Sequence, residues 1–215
     1  MSRVLVIGGH GKVALLLAPL LVARGDQVFA VIRNPDHADD VRAAGAEPVV
    51  SDIETLDVDA LTDLVSGHDA VVWSAGAGGG SRERTYAVDR DAAIRSMDAA
   101  AEAGVNRYVM VSYFGAGPDH GVPEDNSFFA YADAKSAADA HLSATDLEWT
   151  ILQPSALTLD PPTGRIDMHA DESGSVSRAD VAAVIAAALA DASTVGRSIR
   201  FNSGDVTIGE AVAAN

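Results

Sequence analysis

Arg3-Val4-Leu5-Val6-Ile7-Gly8-Gly9-His10-Gly11-Lys12-Val13-Ala14 decides the fold. A short apolar, β-branched run meets a glycine turn, and a helical pattern starts at once behind it. The spacing Gly8-x-x-Gly11-x-x-Ala14 is a dinucleotide-binding fingerprint with alanine at its third small position. Gly8 permits the sharp turn, Gly11 lets the backbone approach a pyrophosphate, and Ala14 lets the helix pack close to the strand. The helix N-terminus offers free N–H groups and a partial positive charge to phosphates. Gly8, Gly11, Lys12 and Val13 are therefore expected cofactor contacts.

From this nucleus the pattern alternates along the chain. Helix is expected over 12–24 with Pro19 inside it, strand over 27–32, helix over 36–44, strand over 47–50, helix over 56–65 and strand over 69–73. The glycine-rich run 74–80 follows. A long helix over 84–103 comes next, with Ala93, Met97, Ala100 and Ala101 at helical spacing. Strand is then expected over 107–111, loop over 116–127, helix over 128–144, strand over 148–152, helix over 177–191, strand over 198–202 and a short helix over 208–213. Strands alternating with helices predict a parallel sheet covered on both faces. The expected architecture is a doubly wound α/β Rossmann fold, one domain over 1–215 with a small C-terminal elaboration. Ligands of such sheets bind beyond the C-terminal strand ends, which makes the residues just past each strand the informative ones.

Composition narrows the function classes. The 215 residues are 48% hydrophobic, ample for a core, and carry a net charge of −16. That charge argues against nucleic acid as a partner. No apolar run reaches the roughly 18 residues of a membrane span. No signal-peptide pattern opens the chain. There are no cysteines, which fits a cytoplasmic enzyme. Residues 1–33 nevertheless carry Arg3, Lys12, Arg24 and Arg33 against Asp26 alone, a locally basic segment suited to a small polyanion.

An NAD-preferring site places an acidic residue at the end of strand 2; this chain has Arg33 there. A guanidinium can pair with a 2′-phosphate and stack on adenine, so NADP(H) is favoured over NAD. The alternative for Arg33 is a solvated strand-end charge. Asp52 and Ile53 are expected beside the adenine, with Asp52 either accepting from its amine or merely capping the next segment. Ala75 and Gly76 let backbone pass close to the cofactor ribose.

Tyr131 and Lys135, four residues apart, share one face of the helix after strand 5, and Ser112 ends that strand. A tyrosine hydroxyl can protonate a developing alkoxide, a nearby ammonium can lower that tyrosine's pKa and bind the nicotinamide ribose, and a serine can orient the substrate oxygen. Catalytic roles are expected for Ser112, Tyr131 and Lys135, with Ser112 and Lys135 also touching cofactor. A packing role for Tyr131 stays open. His120, with Asp119 and Asp125, lacks metal-ligand spacing. His10 is given no chemical role.

These motifs resemble the short-chain dehydrogenase/reductase superfamily. The likeness is greatest to its atypical branch of small NAD(P)H-binding proteins, related to NmrA-like regulators, biliverdin/flavin reductases and truncated epimerases. It rests on Gly8-x-x-Gly11, Asp52, Val109 to Ser112, Tyr131 to Lys135, Trp149 to Pro154, Thr163-Gly164 and Ser177 to Ala182. Pro154 is carried over as a cofactor contact, and Ser177 with Asp180 as a helix cap. Gln153 departs from the arginine usual before that proline. The resemblance implies hydride transfer from NADP(H) to a small-molecule substrate enclosed by segments 113–127 and 154–175, in a monomer or homodimer. A cofactor-binding redox sensor of the NmrA-like kind is the alternative. A planar flavin or tetrapyrrole-like substrate over Phe114, Phe128 and Phe129 is a third reading.

Overall fold

The computed structural model describes residues 1–79 and 81–213; Gly80, Ala214 and Asn215 lie outside the described residues. In chain order the elements are β1 (Arg3–Ile7), α1 (Lys12–Ala23), β2 (Gln27–Ile32), a 3₁₀ turn (Pro35–His37), α2 (Ala38–Ala43), β3 (Glu47–Val50), α3 (Val58–Val65) and β4 (Ala70–Trp73). Then come α4 (Arg82–Thr85), a π-wound stretch (Tyr86–Ala92), α5 (Ala93–Glu102), β5 (Arg107–Val111), α6 (Phe129–Ser143) and β6 (Glu148–Pro154). The chain continues with β7 (Ala156–Thr158), β8 (Arg165–Asp167), β9 (Ser175–Ser177), α7 (Arg178–Ala190), a 3₁₀ turn (Ala192–Thr194), β10 (Arg197–Ser203), β11 (Val206–Thr207) and α8 (Ile208–Ala213).

The main sheet runs β11-β8-β10-β6-β5-β4-β1-β2-β3. From β3 to β10 all neighbours are parallel, whereas β8 and β11 finish the far edge antiparallel. The order reverses between β1 and β4, so a crevice opens there at the C-terminal strand ends. The doubly wound expectation is met, and the elaboration consists of β8, β11 and the separate pair β7–β9.

Alternation along β1 divides the core. Val4 and Val6 join Leu17 and Leu21 of α1 and Val181 and Ile185 of α7 on one face. Leu5 and Ile7 join Met97, Ala100 and Leu142 on the other. All are fully buried, and each such side chain contributes roughly 1.5–3 kcal/mol. Ala101, expected on the core face, is exposed; Ala99 is buried in its place. Pro19 lies inside a continuous α1, on its exposed side, where the acceptor it leaves unpaired can bond water.

Two further departures concern helix starts. The helix expected over 36–44 begins as a 3₁₀ turn, because Asn34 caps Asp36 by accepting its N–H at 3.1 Å. The helix expected over 84–103 starts earlier, at Arg82, and is one continuous run whose middle, Tyr86–Ala92, is π-wound. The wider turn buries Val88, Asp89 and Ala92 together.

Candidate active site

The glycine turn is built by close backbone contact. Gly8 has φ +90°, and a Cβ there would stand 2.6 Å from both the N and the Cα of Ala75. The Gly9 N–H donates to Val31 O at 2.8 Å, which ties the turn to β2. Gly11 is the N-cap of α1, no side chain caps that helix, and its first turn holds no acid. These amides and the macrodipole therefore face the crevice unneutralised.

A cavity of about 490 Å³ runs from this turn past Ile32, Arg33, Asn34, Asp52 and Ile53 to segment 74–78. Arg33 is half-exposed and pairs with Glu54 at 2.8 Å; Arg84 reaches the same carboxylate at 2.9 Å. Two guanidiniums thus share one carboxylate beside the cleft. His10 and His37 stack at 3.7 Å on its wall, and His10 lies 2.9 Å from Asp40. Asp52 caps the turn that follows it, its Oδ1 accepting the Glu54 N–H at 3.1 Å, while also lining the cleft. Ala75 and Gly76 line it too. Lys12 is exposed and is not among the residues lining this cleft.

A second cavity, about 760 Å³, shares the wall 74–78 and adds Val13, Asp89, Ser112, Phe128, Phe129 and Tyr131. A third, about 570 Å³, adjoins it through Ser112, Phe128, Tyr131 and Leu157 and reaches Phe114, His120, Pro154 and Ser173. Segments 113–127 and 154–175 both contribute to these walls. Gln153 joins them, its Nε2 donating to Ala116 O at 3.1 Å. Tyr131 is half-buried against Tyr113 and Phe128, with ring centroids 5.6 and 5.2 Å away.

Sequence reasoning singled out Ser112, Tyr131 and Lys135, of which Ser112 and Tyr131 line one cavity, but missed two buried carboxyls near them, Asp89 and Asp139. Lys135 is fully buried, and its Nζ donates to Met110 Sδ at 3.1 Å rather than opening onto any of the three cavities. Asp139 and Asp89, both buried, act on it electrostatically. Burial pushes the Lys135 pKa down, against the pull of the two carboxylates. Burial pushes both carboxyls up, against Lys135. Asp89 Oδ2 accepts the Ala77 N–H at 3.0 Å, and its Oδ1 has no partner. Asp139 accepts the Ser112 hydroxyl at 2.5 Å. The Tyr131 hydroxyl is pushed well above its ordinary range by burial first, then by Asp89, Asp139 and Tyr113. Asp139 was within reach of sequence reasoning, since 131, 135 and 139 fall on one helical face. Asp89 had no signal of its own.

Ser177 and Asp180 form the expected cap. The Asp180 N–H donates to Ser177 Oγ at 2.9 Å, and the Asp180 carboxylate accepts the Thr163 and Gly164 N–H groups at 3.0 and 2.8 Å.

Residues 8–192 match the NAD(P)H-binding family. The chain belongs to that family. Within it, this NAD(P)H-binding protein fits the atypical short-chain dehydrogenase/reductase branch. It is 34% identical over 214 residues to the "uncharacterized sugar epimerase YhfK" of Bacillus subtilis, covering 98% of each chain. A putative NAD-dependent epimerase/dehydratase from Bacillus halodurans superposes with a TM-score of 0.89 at 32% identity, over 99% of both chains. ChuY, an anaerobillin reductase from Escherichia coli O157:H7, superposes with a TM-score of 0.76 at 25% identity, over 96% of this chain and 99% of that one. The cleft fits the family's ligand: a glycine cradle a Cβ would fill, an uncapped helix N-terminus and the half-exposed Arg33 guanidinium lie along one groove.

Proposed function

We propose that the protein is an NADP(H)-dependent oxidoreductase acting on a small carbonyl or quinone-like substrate. One observation carries this reading: the glycine-turn cleft and the cavity lined by Ser112 and Tyr131 share a single wall, residues 74–78. A dinucleotide lying along that wall spans from the basic end to the two hydroxyls. The amides of the α1 first turn bind the pyrophosphate, assisted by Lys12 and Val13 at its start. Arg33, half-exposed at the end of β2 where an NAD site would carry an acid, takes the 2′-phosphate and supports NADP over NAD. Ile53 and Asp52 flank the adenine, and Ala75 and Gly76 pass under the ribose. When bound, the reduced cofactor supplies a hydride.

The chain's residues orient the acceptor. Ser112 and Tyr131, which line both cavities, offer hydroxyls to its oxygen, and the rings of Phe128, Phe129 and Phe114 exclude water from a planar face. Pro154 closes the third cavity behind it. Lys135 is the buried cation that allows Asp89 and Asp139 to stand so close beneath the site. The name of the anaerobillin reductase favours a planar conjugated acceptor over a sugar.

The test is NADPH oxidation with phenanthrenequinone, flavin mononucleotide and biliverdin, beside a UDP-sugar epimerisation assay. Reduction of at least one acceptor is expected. Tight NADPH binding without any turnover would favour a redox sensor. Epimerisation alone would overturn the reading.

A further inference from the structure

The oxidoreductase reading leaves open which hydroxyl passes the proton, and the inference that follows rests on that reading. Ser112 is fixed at the end of β5, its N–H donating to Leu152 O at 2.7 Å. Its hydroxyl is bonded to Asp139 Oδ2 at 2.5 Å, while the residue lines both the second and third cavities. Asp139 is 7% exposed, one turn beyond Lys135, and Gln153 is the other side chain that acts on its carboxyl by hydrogen bonding. The buried carboxyl can therefore exchange protons with the cavity through Ser112. Among the described residues no carboxyl is hydrogen-bonded to the Tyr131 hydroxyl, and burial holds its proton on.

We propose that Ser112 and Asp139 form the proton relay of this site, with Ser112 the catalytic residue touching the substrate oxygen and Asp139 the positioning residue that stores the proton behind it. In the reducing direction, hydride forms the new C–H bond as the C=O π bond breaks onto oxygen. That oxygen takes the Ser112 Oγ proton, and Ser112 takes the Asp139 proton. Asp139 is left ionised near the Lys135 ammonium. The carbonyl is reduced, the dihydronicotinamide is oxidised, and solvent returns one proton to Asp139. The short contact serves both directions: ionised Asp139 accepts from Ser112, and protonated Asp139 donates to it. The groups facing Asp139 are Lys135 and Tyr131 from α6, Ser112 and Tyr113 after β5, and Gln153 from β6, with Asp89 across Lys135. Burial holds the Asp139 carboxyl above its ordinary range, the direction a proton store requires.

The experiment compares the full-length wild type with Asp139→Asn, Ser112→Ala, Tyr131→Phe and Asp89→Asn. An infrared pH titration of the carboxylic acid C=O stretch should show a band that vanishes in Asp139→Asn, persists in Asp89→Asn and shifts in Ser112→Ala. With NADPH and phenanthrenequinone, wild-type kcat should fall as pH rises through the ionisation that band reports. Ser112→Ala and Asp139→Asn should each lower kcat by about 100-fold with NADPH affinity unchanged. Asp139→Asn should also lose the pH limb, and Tyr131→Phe should keep it. A carboxyl band indifferent to Ser112→Ala, or an unaltered pH limb in Asp139→Asn, overturns the relay even if reduction occurs. Absence of reduction by wild type overturns the oxidoreductase reading instead. Ser112→Ala removes one oxygen only, so it keeps the relay falsifiable should Asp139→Asn fail to fold.

Discussion

Gly8 and Ala75 meet backbone to backbone: a Cβ on Gly8 would stand 2.6 Å from Ala75 Cα, at a φ of +90° that L side chains rarely adopt. The cofactor turn is thus set by the contact between the ends of β1 and β4. Gly8→Ala is expected to cost about 1–3 kcal/mol from backbone strain alone, with the clash added. It should also weaken NADPH binding, because the turn must shift away from Ala75. Denaturant unfolding and NADPH fluorescence titration check both effects.

Arg33 and Arg84 share Glu54, and the proposed preference for a 2′-phosphate rests on this cluster. Arg33→Ala should weaken NADPH binding by roughly 10- to 100-fold, the worth of one charge-assisted hydrogen bond or two, and leave NADH nearly unchanged. Glu54→Gln should tighten NADPH. Parallel calorimetric titrations with both cofactors measure the ratio.

Asp89 predicts a pH dependence of stability. Burial raises its folded pKa above the unfolded value near 3.8. The native state therefore holds this proton more tightly. The associated stability is present below the unfolded pKa and is lost as pH rises through the folded one. Asp89→Asn removes that ionisation while keeping an acceptor for the Ala77 N–H. Relative to wild type, the variant should gain stability as pH rises from about 4 toward neutrality. Urea unfolding across that range gives the trend, and an opposite slope would contradict it.

Asp180 is fully buried beneath the Thr163-Gly164 turn and far along the chain from the glycine turn. Asp180→Ala leaves the amides of that turn unpaired and removes the cap partner of Ser177. A loss of about 1–3 kcal/mol is expected with NADPH affinity intact. Unfolding midpoints and a binding titration separate the two.

Most of the sheet was legible because its signals are local. Val4 to Ile7, Val71 to Trp73 and Tyr108 to Met110 are continuous apolar runs buried on both faces, the mark of central parallel strands. β7, β8, β9 and β11 were not legible: each is two or three residues long, the first three in a Pro- and Asp-rich stretch, and their pairing comes from tertiary contact. The site divides the same way. Gly8, Arg33, Ser112 and Tyr131, which line the cleft or the adjoining cavity, could be singled out because they follow strands or occupy the helix after β5. Asp89 could not, because it faces inward through a π-wound turn that no 3.6-residue period reveals. Lys135 was found on the right face, but its burial against Met110 depends on side chains from β5.

The most direct test of the account is a crystal structure grown with NADP+. It predicts the pyrophosphate over the α1 first turn, the 2′-phosphate in hydrogen-bond reach of Arg33, and the nicotinamide ring in the cavity between Ser112 and Tyr131. A cofactor bound elsewhere, or a nicotinamide turned away from Ser112, would contradict it.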